Sequence, residues 1–187
     1  MVDVIQYTPG RDMDYALLNW MERMINDQDI DKTLTSAQKT PSKFLEFFRV
    51  RPLFFQVDDL SNIKRACWFE PCMGSAFWGI WIHPGARTTE PKANIQFADF
   101  MINEAFKSGI PTLVGLIKDR PTIAETAKFI MLHSKAWGFS YQGKVPKFFE
   151  GRDCHIVALT AEDWQAWVEA KAARPSSQSR WKTLSAS

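Results

Sequence analysis

Between Thr112 and Leu159 the chain reads TLVGLIKDRPTIAETAKFIMLHSKAWGFSYQGKVPKFFEGRDCHIVAL, and no other stretch restricts the fold as tightly. Thr112 to Ile117 is a short apolar run rich in β-formers, broken by Asp119-Arg120-Pro121. Thr122 with Glu125 three residues on then forms a capping box, in which the hydroxyl accepts from a first-turn amide while the carboxylate reaches back. Ile123, Ala127, Ile130, Met131 and Ser134 recur on one face of the helix that follows. Gly138 ends it, since glycine takes the left-handed conformation that closes a helix, and Phe139 beyond is placed to fold back on the last turn. The rest of the stretch is an alternating SYQGKV segment, a loop reaching Glu150-Gly151-Arg152, and the apolar run CHIVAL, which together make a hairpin pattern.

Gly138-Phe139, Gly143, Phe148-Phe149, Gly151-Arg152 and Ile156 to Leu159, in that order and spacing, resemble the C-terminal half of the GNAT superfamily of acyl-CoA N-acyltransferases. The resemblance implies an α/β fold: a single domain with a twisted mixed sheet of about seven strands flanked by helices. In such a sheet the fourth strand splays from the fifth to make an acyl-CoA cleft.

The first half of the chain fits by order of elements. Val2 to Tyr7 alternates as a strand, and Asp12 can cap a helix running to about Ile25, with Leu17, Met21 and Met24 on its inner face. A polar stretch from Asn26 to Lys43 precedes a short helix carrying Phe44, Leu45, Phe47 and Phe48. Leu53 to Val57, Ile63 to Phe69 and Ala76 to Ile82 read as strands, and the short polar links between them favour antiparallel neighbours. Asn94 to Lys107 reads as a helix with Ile95, Ala98, Ile102, Ala105 and Phe106 inward. The resemblance thus spans Val2 to Leu159, and a domain of residues 1–169 closes with a helix capped by Thr160 and Asp163.

At 187 residues and 45% apolar the chain has enough material for one sizeable core. A net charge of +2 is too small by itself to imply nucleic-acid binding, no window has the apolar length of a membrane span, and MVDVIQ lacks the basic region and apolar core by which a secretory signal would be visible. The expected location is cytoplasmic, or virion-associated for a phage protein. Cys67, Cys72 and Cys154 form no zinc-type spacing and are expected to be reduced.

Where active members of the family bind pyrophosphate through R/Q-x-x-G-x-G/A, this chain has Arg87-Thr88-Thr89-Glu90-Pro91-Lys92-Ala93. Arg87 fits. Glu90 and Lys92 put side chains where backbone must approach phosphate, and Pro91 lacks an amide. The general-acid Tyr of many members corresponds to Ser134, whose hydroxyl is shorter and far less acidic. His83 is the titratable group nearest the end of the fourth strand. His133 falls on the polar side of its helix near Lys128 and Lys135, and His155 lies in the last strand; both read as structural. Trp68, Trp78 and Trp81 are expected to pack in the core, with filling of a former cofactor cleft as the alternative.

Two functions follow from the resemblance. The preferred one is a degenerate member that has lost acyl-CoA chemistry, needs no cofactor, and serves as a structural or protein-interaction component, in analogy with GNAT-like proteins of tailed phages. The alternative is a divergent acetyl-CoA-dependent N-acetyltransferase acting on an amine. In that case Arg87, Thr88 and Thr89 hold pyrophosphate, the edge at Trp81 and Ile82 pairs with pantetheine, and His83 or Ser134 assists catalysis. The basic segment 170–187 reads as a tail docked on a protein partner or another copy, with Trp181 as an apolar anchor and Arg180 and Lys182 meeting acidic groups.

Overall fold

The computed structural model describes residues 4–26, 40–58, 62–149 and 151–173. The tail anchor of Arg180, Trp181 and Lys182, and most of the polar stretch after Asn26, lie outside them. Seven strands form one sheet: β1 Val4–Gln6, β2 Leu53–Val57, β3 Ile63–Cys72, β4 Ser75–Ile82, β5 Thr112–Lys118, β6 Ser140–Phe149 and β7 Arg152–Thr160. Six helices accompany them: α1 Arg11–Asn26, α2 Pro41–Arg49, α3 Pro84–Thr89, α4 Pro91–Lys107, α5 Ile123–Trp137 and α6 Ala161–Ala172. The spatial order is β1-β2-β3-β4-β5-β7-β6.

Every neighbouring pair is antiparallel except β4 and β5. Those two run parallel and pair only at Ala76↔Leu113 and Phe77↔Val114. Beyond that point β4 continues to Ile82 and β5 to Lys118, so the strands part and the sheet has a V-shaped opening whose vertex lies just after Phe77. Two antiparallel sheets are therefore seamed by one short parallel contact.

Alternation along the strands sends side chains into two cores. Leu53, Phe55, Ala66 and Trp81 pack with Trp20, Met24, Phe44 and Phe48 of α1 and α2. Cys67, Phe69, Trp78, Leu113, Val157 and Leu159 face the other way, against Phe97, Met101 and Ile102 of α4, Trp137 of α5 and Trp164 of α6. In α4 the buried positions are Phe97, Ala98, Met101, Ile102 and Ala105, whereas Ile95, expected inward, is 36% exposed. The helix starts at Pro91, one turn earlier than the sequence suggests, and its inner face is set by the sheet it crosses.

The signals around α5 act as its sequence implies. Thr122 Oγ1 accepts the Glu125 amide at 3.2 Å, and Gly138, at φ 79°, closes the helix while its N–H donates to the Ser134 carbonyl. A Cβ at Gly138 would stand 2.7 Å from the Trp167 ring, so α6 also requires glycine there. The face of α5 that carries Ile123 and Met131 is the outer one, with those residues 90% and 47% exposed. Thr126 and Trp137, on the adjoining strip of the helix, are the buried residues. Periodicity identified the helix but not its rotation, because Ile130 sits near the boundary and aromatic rings further along decide which side turns in.

Candidate functional site

The site implied by the resemblance lies where β4 ends, and the side chains there are bonded to the chain's own backbone. His83 caps α3, its Nδ1 accepting the Gly85 N–H at 3.2 Å, while its ring stands edge-on to Trp81. The imidazole lone pair is thus held by backbone. Arg87 donates from Nε to the Ile82 carbonyl at 2.9 Å, turning back on β4. The Thr88 and Thr89 hydroxyls donate to the Gly85 carbonyl at 3.3 and 2.8 Å. The backbone after β4 is helical, with Arg87 N–H on the His83 carbonyl and Glu90 N–H on that of Ala86, so these donors do not point at a ligand.

Glu90 is the residue from which α4 starts, and its carboxylate meets Arg65 at 2.6 Å and Lys64 at 3.2 Å. Arg65 is only 1% exposed, and its other nitrogens reach Gln56 at 2.8 Å and Asn94 at 2.7 Å, while Asn94 in turn donates to the Ala86 carbonyl. Hydrogen bonding from Arg65 and then Lys64 holds the Glu90 carboxyl below its usual range. The carboxylate is turned toward Arg65 and Lys64 and caps no first-turn amide of α4. It stands among the residues that replace the glycines of the family's pyrophosphate motif. Sequence reasoning saw Glu90 as an intruder but not its partners, since Lys64 and Arg65 lie in a strand that reads simply as a strand. Only the β3–β4 register brings them to the corner.

The vertex of the V is closed by rings. Trp78, one residue past the last paired position, stacks on Phe139 with centroids 5.2 Å apart and meets Trp137 edge-on at 5.5 Å. Its indole lies against Gly115 of β5, where a Cβ would stand 3.2 Å from Trp78 Nε1 and 2.7 Å from Val157. Trp78 thus fills the place expected of it. Trp81 and Trp68 pack in the core on the other face, as expected, where Trp20 meets both edge-on. Trp81 is 1% exposed in the α1–α2 core, so only its backbone belongs to the β4 edge.

His133 corrects the expectation of a polar-side residue. Its ring packs edge-on against Trp78, Trp137 and Phe139. Nδ1 faces the Phe129 carbonyl at 2.9 Å, which places the proton on Nδ1, and burial lowers the pKa so that the ring is kept neutral. Aromatic residues at 137 and 139 were visible in the sequence, but their pull on position 133 was not. Ser134 is exposed, away from that ring cluster. Among the described residues no group of His, Cys, Asp and Glu side chains is arranged to hold a metal ion, and no helix is long and apolar enough to cross a membrane.

No family model matches the chain, and no curated protein matches it. Solved structures do. The ribosomal-protein-S5-alanine acetyltransferase from Vibrio fischeri superposes with a TM-score of 0.61 at 14% identity, over 86% of this chain and 94% of that one. An N-acetyltransferase from Staphylococcus aureus Mu50 gives 0.62 at 14% identity, over 86% and 97%. A ribosomal-protein-alanine N-acetyltransferase from Brucella melitensis gives 0.59 at 15%, over 84% and 99%. The chain has the fold of the GNAT N-acetyltransferases, with the mixed seven-stranded sheet and the C-terminal helix that the sequence resemblance implies.

Proposed function

We propose that this is a GNAT-fold protein whose acyl-CoA site has been closed from within and which acts as a structural or protein-interaction component. The observation that carries the reading is the Glu90 carboxylate, which replaces a motif glycine at the start of α4 and is held beside it by Arg65 and Lys64. Its negative charge opposes a second anion nearby. The aromatic filling of the vertex supports the same reading. So does the outer face of α5, where Ile123, Met131 and Leu132 are exposed. The partner-docking role of Arg180, Trp181 and Lys182, and a place in a phage virion, belong to this proposal and rest on sequence alone.

Isothermal titration with acetyl-CoA is the test. No heat of binding is expected up to about millimolar ligand, the range in which a complex is worth only about 4 kcal/mol. Micromolar affinity that disappears in Arg87→Ala would overturn the reading in favour of the second one, a divergent N-acetyltransferase. That alternative is favoured by one observation, the parting of β4 from β5, which is the gross shape an acyl-CoA cleft requires. For the docking role, deletion of residues 175–187 is expected to abolish assembly with an unchanged melting temperature. Normal assembly of the truncated chain removes that part of the proposal.

A further inference from the structure

On the α4–α5 side of the sheet, at the end of β5 furthest from the vertex, three side chains form a chain of hydrogen bonds. Tyr141 Oη lies 3.1 Å from His155 Nδ1, and His155 Nε2 lies 2.8 Å from Asp119 Oδ1. The register makes this possible: His155 is paired with Ile117 in β5, two residues before Asp119, while Tyr141 is paired with Val157. A carboxylate only accepts, so Asp119 fixes the imidazole proton on Nε2 and leaves the Nδ1 lone pair to receive the phenol proton. The Tyr141 oxygen keeps its own lone pairs, and the side chain is 51% exposed. A nucleophile, a base and a carboxylate that orients the base are thus in line.

A depression begins at the carboxylate of this relay, lined by Asp119, Arg120, Pro121, Gly151, Arg152 and Asp153. Both acids in it are already engaged, Asp119 by His155 and Asp153 by Lys144 at 2.5 Å and by the Lys147 amide at 2.9 Å. Arg120 lies flat on Phe129, 4.0 Å from the ring centre, which fixes its guanidinium. The depression therefore offers Arg120 and Arg152 beside one acid paired with Lys144 and one whose oxygen is taken by the His155 N–H, and the arginines are what would attract a small anion.

We propose that Tyr141 is an activated nucleophile that takes acyl groups from small anionic acyl donors of the acyl phosphate class, with His155 and Asp119 as its proton relay. In the step, the Tyr141 oxygen bonds to the carbonyl carbon while its proton passes to His155 Nδ1. The carbonyl carbon–oxygen bond to phosphate then breaks, and phosphate departs with the electron pair and takes up the proton. The product is an O-acyl tyrosine and free phosphate, with no redox change. The relay uses neither the β4–α4 corner nor the vertex, so the proposal stands whichever reading of those is right.

The experiment is labelling of the full chain with acetyl phosphate, followed by peptide mass mapping before and after hydroxylamine, which removes acyl groups from tyrosine but not from lysine. Tyr15 is an internal control, since it is 67% exposed, more than Tyr141. Tyr141 is expected to label at least about a hundredfold faster than Tyr15, the low end of what a positioned base contributes. His155→Gln is expected to bring Tyr141 down to the rate of Tyr15, with Asp119→Asn as a second variant should the first fail to fold. Arg152→Ala is expected to slow labelling by acetyl phosphate but not by N-acetylimidazole, a neutral donor. Equal labelling of Tyr15 and Tyr141, or a rate unaffected by loss of His155 and of Asp119, overturns the relay. An Arg152→Ala effect equal for both donors overturns the preference for anions.

Discussion

The corner after β4 and the vertex between β4 and β5 belong to one strand, yet they are closed by opposite physics. At the corner a buried guanidinium gathers Gln56, Glu90 and Asn94, and every contact is a charge-assisted or neutral hydrogen bond. At the vertex Trp78, His133, Trp137 and Phe139 close the space with rings, and the only polar contact of His133 is to its own helix. The first kind of closure depends on geometry and ionisation, the second on volume. Two places along one strand are thus filled by unrelated kinds of contact, and the two should fail under different perturbations.

The largest effect is expected from Arg65→Ala. It removes the guanidinium from which Asn94 Oδ1 and Gln56 Oε1 accept, and breaking a buried charged network from one side costs about 3 kcal/mol or more. Urea denaturation checks this, and a loss below about 1 kcal/mol would show that water replaces the guanidinium and that the corner is not closed by charge. Next comes Gly138→Ala, where a positive φ and a 2.7 Å approach to Trp167 act together. About 2 kcal/mol is expected, against about 1 kcal/mol for Gly109→Ala, which shares the positive φ but has open space around it. Equal losses in the two variants would mean that α6 yields and that packing around α5 is less exacting than the rings suggest.

His133 gives the vertex a pH dependence of defined sign. Its folded pKa lies below the unfolded value, so the stability it contributes is complete above about pH 6.5 and drains away as the pH falls from there toward the folded value. Denaturation midpoints should decline over that range, and His133→Phe should flatten the decline; an unchanged slope would place the titration elsewhere. Glu90 gives the corner the smaller, acid-range counterpart. Its folded pKa is lowered by Arg65 and Lys64, so its contribution is present above the unfolded carboxylate value and is lost as pH falls through the folded one. Glu90→Gln should remove a salt-sensitive part of the acid transition, and a transition identical in both proteins would mean that solvent screens the pair.

Much of the fold was legible because local chemistry and tertiary contact agree. Thr122, Gly138 and Thr160 do what their residue types dictate, and β2 and β5 start where their apolar runs start. The site was legible only as a list of misfits. Glu90 in place of glycine signalled a changed corner, but the partners that make it an internal anion come from β3, some 25 positions earlier, and a register decides which of them arrive. The relay of Tyr141, His155 and Asp119 was missed for the same reason, since its members lie on β6, on β7 and just past the end of β5, and none carries a local motif. The outer face of α5 misled because an apolar stripe at helical spacing records which residues share a side, not which side the sheet takes.

The two-residue seam between β4 and β5 has a consequence for how the molecule opens. On β4 beyond Phe77 and on β5 beyond Val114, the backbone groups directed into the V have no ladder partner across it, although each strand remains bonded to its outer neighbour. Amide hydrogen exchange should therefore report two cooperative units, β1 to β4 with α1 and α2, and β5 to β7 with α5, each protected more strongly within itself than across the gap. The core under α4 spans the seam and sets how far apart their opening free energies can drift. Pulled from opposite ends of the sheet, the protein should part along this line before either antiparallel half comes undone.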